Sequence, residues 1–490
     1  MQMPENHFFV VCINRKNDIK KGMILMKTET IAAIATSLSE SGISIIRISG
    51  EDAAFVADKV IATKNGMKVS EFKSHTIHYG HVMDGENVVD EVMVSYMKGP
   101  YSFTAENTVE INCHGGVLIT KKVLQLVLRS GARLAYPGEF TKRAFLNGRI
   151  DLTKAEAIMD IIHADNEFAL QIGMKQLKGS VSKKITSIRE RLIYEIAFIE
   201  SALDDPEHIS LEGYPEQLND KLEIILNELL KMEDSAENGK MIKNGINTVI
   251  VGKPNAGKSS FLNFLLGEEK AIVTDIAGTT RDALEDFVRI QDISFRVIDT
   301  AGIRKTEDVV EKIGVKKAID YSKDADLLLY IIDSSVPLDN NDEDIMKMTA
   351  GKKMIVLMNK SDLEPVIKIE EIEKKLLEYS HKKEDIRFLK ISAKDKEGMD
   401  EFESLVKEMF FSGEIKIQDE VMITSMRQKE NISDAIESIK LVLNSIEMSM
   451  PEDFLTIDLM SAYESLGKII GEEIEEDLVN EIFSKFCMGK

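Results

Sequence analysis

Five short motifs between residues 252 and 394 carry the residue types that handle a purine nucleotide and its phosphates. They are GKPNAGKS at 252–259, GTTRD at 278–282, DTAG at 299–302, NKSD at 359–362 and SAK at 392–394. The first fits the pattern G-x-x-x-x-G-K-[ST], in which glycines let backbone N–H groups wrap phosphates and the next helix adds a positive dipole end. Asn255, Ala256, Gly257 and Ser260 belong to that wrapping stretch. Lys258 is placed to reach the β- and γ-phosphates, and Ser259 and Thr280 supply hydroxyls for Mg²⁺. Asp299 can hold the same ion in its outer shell, and the Gly302 N–H can sense the γ-phosphate.

The fourth motif selects the base. A carboxylate at Asp362 accepts from both N1–H and the 2-amino group of guanine, a donor pair that adenine lacks. A site built on a buried hydrogen-bonding group rejects the wrong partner strongly. Asn359 and Lys360 stand in the same motif, and Ser392, Ala393 and Lys394 follow at the spacing of the last guanine-contacting loop. A lone Asn-Lys turn capping a strand is commonplace, but five such motifs in order read as a GTPase domain. Where many GTPases carry a glutamine to orient the attacking water, this chain has Ile303. Arg304, Glu307, Asp308 and Glu311 are the nearby side chains able to take that task, and an ion-paired surface glutamate is the plain alternative for the last.

These motifs need elements to hold them. The β-branched run 248–251 and the helical stretch 259–266 bracket the first motif, and 295–298 forms the strand that Asp299 closes. Upstream, 43–48, 75–79, 92–96 and 108–112 read as strands, with helices near 53–62 and 117–130, so residues 26–147 predict an α+β domain. Residues 148–243 turn helical: no proline lies between Pro137 and Pro206, and Leu218, Leu222, Ile225, Leu226 and Leu229 recur at helical spacing. The GTPase domain runs over 244–411. Helical periodicity then returns over 412–490, at Ile432, Ala435, Ile436 and Ile439. The fold class expected is an α/β P-loop GTPase domain inserted in an α-helical domain and preceded by an α+β domain. The two helical segments are expected to pack as one discontinuous bundle. Residues 1–25 precede the cleaner domain start at Met26 and are expected to lie outside the fold, reflecting an upstream start-site assignment.

With 490 residues, the chain needs about three cores. The composition, 43% hydrophobic and 30% charged, is that of a soluble globular protein. Three scattered cysteines (Cys12, Cys113, Cys487) argue against a disulfide framework and for a reducing compartment. No apolar run approaches the ~18 residues of a membrane span, and 8–13 is too short for a signal-peptide core. A cytoplasmic protein without membrane attachment is expected. The net charge of −22 argues against a nonspecific nucleic-acid binder. From residue 121 to 191, however, 14 Lys and Arg stand against 7 Asp and Glu, which makes this stretch the best local surface for a phosphate backbone unless it is simply a solvated helical face.

Five stretches fix a resemblance: PYSFTAE at 100–106, VEINCHGG at 109–116, PGEFTKRAFLNGR at 137–149, AIVTDIAGTTRD at 271–282 and the terminal FCMGK at 486–490. Together they make residues 26–490 resemble the tRNA-modification GTPases usually called MnmE or TrmE. The resemblance implies a homodimer with a folate-binding N-terminal domain and a potassium-activated GTPase. It implies a flavoprotein partner, MnmG (GidA), in a heterotetramer-type complex acting on tRNA. The product implied is a carboxymethylaminomethyl or aminomethyl group on C5 of the wobble uridine, its one-carbon unit drawn from 5-formyl- or 5,10-methylene-tetrahydrofolate.

By position, the resemblance puts folate on Arg47, Glu110, Arg149 and Lys490, residues that composition alone would leave as ordinary surface. Their chemistry suits it: a carboxylate for the pterin's donor edge and cations for the glutamate tail. The resemblance puts K⁺ on Asn255, Thr274, Ile276 and Thr279, selects Glu311 as the residue that orients water, and so gives Glu311 and Lys258 the catalytic roles. Cys487 reads as a small buried residue, as a poorly fitting prenylation site, or as the family's terminal Cys-x-Gly-Lys beside the one-carbon site; Met488 stands where the family usually has isoleucine. A ribosome-assembly GTPase would bring a second GTPase module or a KH-type domain, and a membrane scaffold would bring a lipid anchor or a basic amphipathic helix. The sequence shows none of these.

Overall fold

Side chains alternate along Ser41–Ser49: Ile46 and Ile48 are fully buried, and Arg47 between them lies on the other face. That period of two dictates a sheet with one apolar face. The computed structural model describes residues 29–267, 285–290, 293–298, 325–395, 397–411, 421–472, 476–486 and 489. The chain divides into two units, Met1–Ala155 with Gly471–Lys490, and Glu156–Ile470.

In the first unit the elements run β1 (Ile31–Ile34), β2 (Ser41–Ser49), α1 (Ala53–Asp58), β3 (Ile61–Thr63), β4 (Thr76–Asp84), β5 (Asn87–Met97), β6 (Thr108–Gly115), α2 (Val117–Arg129), β7 (Arg133–Leu134) and α3 (Glu139–Leu146). The sheet order is β3-β4-β5-β6-β2-β1-β7, antiparallel except for the β1–β7 pair. Its inner face, with Ile46, Val94, Val109 and Ile111, packs against Val56 of α1 and Val123 of α2. The helix expected near 53–62 ends earlier, because Ile61–Thr63 pairs with β4 as an edge strand. The C-terminal helix Glu476–Ser484 belongs to this unit, where Phe483 packs on Phe145 of α3.

The second unit opens within α4 (Leu152–Ile162) and continues with α5 (Glu167–Leu177), α6 (Ser180–Asp204) and α7 (Tyr214–Asn244). The nucleotide domain follows: β8 (Ile246–Val251), α8 (Lys258–Gly267), β9 (Glu285–Ile290), β10 (Ile293–Ile298), β11 (Leu327–Asp333), α9 (Asn340–Met348), β12 (Met354–Asn359), α10 (Ile369–Glu378), β13 (Ile386–Lys390) and α11 (Met399–Phe411). Its sheet runs β13-β12-β11-β8-β10-β9, parallel but for the β10–β9 hairpin. Two long helices, α12 (Met426–Glu447) and α13 (Glu452–Ile470), complete the unit. They share one apolar core with α6 and α7, including Ile188, Leu222, Ile436 and Leu466. The helical segments on either side of the nucleotide domain therefore do form one discontinuous bundle.

Two helices depart from the sequence boundaries: Glu476–Ser484, expected with the rest of 412–490 in the bundle, lies in the first unit, and α5 docks on the nucleotide domain. Helical periodicity assigns all of 148–243 to the bundle, but Ala169 and Ile172 of α5 pack in the nucleotide-domain core with Phe261 and Phe295. Periodicity reports that a stripe is buried and is silent about its neighbour. Asn166 fixes this docking: its Oδ1 accepts the Ala169 N–H at 2.7 Å as the N-cap of α5, and its Nδ2 donates to the Ile242 carbonyl at 3.0 Å and the Ser294 hydroxyl at 3.1 Å. The chain's return from the nucleotide domain is held nearby. Asp160 takes Lys243 at 2.7 Å and the Thr424 hydroxyl at 2.8 Å, so one carboxylate ties the last turn of α7 to the segment before α12. Replacing Asn166 by alanine is expected to cost about 2 kcal/mol of unfolding free energy, for the lost cap and the stranded buried groups. A chemical-denaturation midpoint equal to that of the native protein would contradict this.

Candidate functional site

The three described nucleotide motifs, at 252–259, 359–362 and 392–394, meet at the carboxyl ends of β8, β12 and β13, where open α/β sheets place ligands. The loop after β8 turns through Asn255 in left-handed backbone (φ 62°) and Gly257 (φ 103°) before α8 starts at Lys258. A side chain at Gly257 would meet the Asn359 amide nitrogen at 2.0 Å, so this position admits only glycine. Lys258 Nζ donates to the Gly252 and Lys253 carbonyls, both at 2.8 Å, and Asn255, Ser259 and Ser260 are exposed around it.

Asn359 is buried and binds two motifs together. Its Nδ2 donates to the Ala256 carbonyl at 2.9 Å, and its Oδ1 accepts the Ala393 N–H at 3.2 Å. Asp362 takes the Ser392 hydroxyl at 3.2 Å, which joins the base-selecting motif to the last one. Lys360, in left-handed backbone, pairs with Asp333 at the end of β11. Burial pushes the Asp333 carboxyl up, but hydrogen bonds from Lys360 and Ser335 outweigh it and leave the group below the ordinary carboxylate range. Asp333 was not legible as a site residue. Only the β11–β12 register, which pairs it with Asn359, brings it there.

The structure thus brings together residues 255–260, Asn359, Lys360, Asp362, Ser392 and Ala393, with exposed Lys394 next in the chain. Thr274, Ile276, Thr279, Thr280, Asp299, Gly302 and Glu311 lie outside the described residues, as do residues 1–25, Cys487 and Lys490.

A second constellation stands on the outer face of the first unit's sheet. The β2–β6 register sets Arg47 opposite Glu110, and the Arg47 Nε and Nη2 both reach Glu110 Oε1 at 2.8 Å. Arg47 Nη1 donates to the Gly489 carbonyl at 3.2 Å, so the chain terminus arrives at this pair. Gly489 must be glycine there: its φ is 89°, and a Cβ would meet the Ile34 carbonyl at 2.2 Å. Arg149 lies over the Phe103 ring at 5.3 Å and Arg47 at 5.8 Å, a stacking partner that sequence reading passed over inside its own motif. Asn112, two residues from Glu110 on the same face of β6, has a buried side-chain oxygen with no hydrogen-bond partner among the described residues.

Part of the basic stretch 121–191 is paired within the chain. Arg133 and Arg143 are paired with Glu139, Lys154 with Asp151, and Lys184 and Arg191 with Glu228. Arg189 is buried against the Tyr463 ring at 4.0 Å. Of these carboxylate partners only Glu228 lies outside the stretch, so these pairs offset only a small part of the charge excess that the sequence displays.

Family models place the chain. That for the MnmE helical domain matches residues 152–487, and that for the GTP-binding protein TrmE N-terminus matches residues 30–149. A relative from Lachnoclostridium phytofermentans, named tRNA modification GTPase MnmE, is 54% identical over 466 residues, covering 95% of this chain and 100% of that protein. The chain belongs to the MnmE family of tRNA-modification GTPases. A Clostridioides difficile member of the family is 45% identical over 462 residues, covering 94% of this chain and 99% of its own. Among solved structures, the G domain of the T. maritima FeoB iron transporter is 26% identical and covers 34% of this chain and 98% of that one, at a TM-score of 0.24 that decides nothing. MnmE membership accounts for the three parts of the fold: the TrmE-type N-terminal domain, the helical domain and the P-loop GTPase within it. GTP hydrolysis and a role in tRNA modification come with the family. No helix among the described residues is long and apolar enough to cross a membrane.

Proposed function

We propose that this chain is a potassium-activated GTP hydrolase that works as a homodimer with the flavoprotein MnmG (GidA). Together they install a carboxymethylaminomethyl or aminomethyl group at C5 of the wobble uridine of certain tRNAs. The one-carbon unit comes from a tetrahydrofolate derivative.

The meeting of Arg47, Glu110 and the terminal Gly489 carries the folate part of this reading. The residues present suit such a ligand. A pterin offers a ring to stack on Phe103 and an edge of N–H donors for Glu110 and for the unpartnered Asn112 oxygen. Its glutamate tail calls for cations, and Arg149 and Lys490 are the residues proposed to meet it. In the nucleotide domain, Lys258 is assigned to the β- and γ-phosphates and Glu311 to orienting the attacking water. Mg²⁺ would be held by Ser259 and Thr280 and K⁺ by Asn255, Thr274, Ile276 and Thr279, and both ions neutralise charge on the phosphates. Asp299 and Gly302 are proposed to complete the phosphate site. Cys487 is proposed to stand beside the one-carbon site.

Calorimetry tests the folate pocket. An Arg47→Ala, Glu110→Ala double variant should lose 5-formyltetrahydrofolate binding by more than about tenfold, the factor that 1.4 kcal/mol represents, and keep its GTP affinity. Unchanged folate binding would sink the assignment. Nucleoside mass spectrometry of tRNA from cells carrying only this variant should show wobble uridine without its C5 group; a normal modified nucleoside would remove folate from the reading.

A further inference from the structure

Position 253 of the phosphate-binding loop is one that the motif leaves open, so phosphate chemistry does not demand a lysine there. Yet Lys253 is only 9% exposed, and its ammonium is spent on α9. Nζ lies 2.9 Å from Asp342 Oδ2 and 3.3 Å from Asp339 Oδ2. Asp342 is fully buried; it also takes the Tyr330 hydroxyl at 3.0 Å and the Asp339 N–H at 3.1 Å. Asp339 in turn caps α9 through the Asn341 N–H at 2.9 Å. The other end of the same residue faces the nucleotide machinery: the Lys253 carbonyl accepts the Ala256 N–H at 3.2 Å and Lys258 Nζ at 2.8 Å.

We propose that Lys253 is a positioning residue of the phosphate-binding loop: locked by Asp342 at its side chain, it holds the carbonyl that orients Lys258, and so sets nucleotide affinity from outside the phosphate shell. A buried carboxylate without its cation is strongly unfavourable. Loss of the ammonium therefore drives the loop and the first turn of α9 apart, and the carbonyl moves with the loop. Because the ammonium is engaged at α9, its loss reaches the nucleotide only through the loop and the carbonyl that orients Lys258.

The test measures GDP affinity by fluorescence titration, together with KM and kcat for GTP, in the full-length protein. Lys253→Met should weaken GDP by about tenfold, equivalent to 1.4 kcal/mol, and raise KM in step. Lys253→Arg, which keeps the charge, should recover most of the affinity. Lys253→Met with Asp342→Asn removes both charges and should bind GDP more tightly than Lys253→Met alone, because the stranded carboxylate is gone. If Lys253→Met does not fold, Asp339→Asn at the exposed edge of the cluster decides, with a smaller loss in the same direction. Native GDP affinity in a folded Lys253→Met protein, or in Asp339→Asn where that variant decides, would overturn the proposal. So would a fall in kcat at constant KM, or a double variant as weak as the product of its two parts. A lower melting temperature with unchanged affinity would leave Lys253 a purely structural residue.

Discussion

Asp362→Asn is expected to turn the enzyme away from GTP and toward XTP. Guanine presents two neighbouring donors, N1–H and the 2-amino group, and a carboxylate answers both. Asparagine keeps one acceptor and puts a donor against the second, so one donor of the base is left facing another. Xanthine replaces the 2-amino group by a carbonyl and pairs with asparagine in full. Asp362 is exposed, and a polar group that the bound base covers and leaves unmatched discriminates by large factors. KM for GTP should rise about 100-fold, the equivalent of roughly 2.7 kcal/mol, and XTP should become the better substrate. The Ser392 hydroxyl lies 2.9 Å from Asp395 Oδ2 and 3.2 Å from Asp362 Oδ1; the first acceptor is untouched by the substitution and asparagine keeps the second, so the loop itself is expected to hold. Steady-state kinetics with both nucleotides checks the outcome. A variant that loses GTP and XTP activity in equal proportion would show that Asp362 supports the loop without reading the base.

The described part of the nucleotide site was legible because its motifs are local. Each is a handful of residues whose backbone turn and side-chain chemistry are set within one loop, and the order of the loops fixes the sheet that carries them. What ties the loops together was not legible. Asn359 reaches Ala256 across 103 positions, and Lys253 reaches Asp342 across 89. Those pairings exist only once β8, β11 and β12 lie in register. The bundle was visible as two periodic segments, but α5 carries the same period and spends it on the nucleotide domain. The outer face of the first unit's sheet is the harder case. Arg47 and Glu110 alternate with buried isoleucines and valines as any solvent-facing strand residues do, and resemblance alone singled them out. The register that sets them opposite each other, and the Gly489 carbonyl that reaches Arg47, are products of tertiary structure.

GTP hydrolysis is expected to run about tenfold faster in KCl than in NaCl, a barrier difference of roughly 1.4 kcal/mol. Asn255 is the described residue on which this rests. Its side chain is exposed at the turn of the phosphate-binding loop, three positions before Lys258, and its backbone is left-handed at φ 62°. A monovalent cation held there by the Asn255 oxygen and by carbonyls of residues 274–280 would offset charge growing between the β- and γ-phosphates, as an arginine finger does in other GTPases. A loose cage of carbonyl oxygens suits the larger ion, so Na⁺ should substitute poorly. Asn255→Ala should abolish the difference between the two salts. Alanine also strains a left-handed backbone by about 1 kcal/mol, which would confuse a loss of cation binding with a distorted loop. Asn255→Gly separates the two, because glycine adopts that backbone freely and lacks the oxygen. If the oxygen matters, both variants lose potassium stimulation, and Asn255→Gly keeps GDP affinity close to native. Equal rates in the two salts for the native protein would defeat the reading, as would an Asn255→Gly enzyme that still prefers potassium.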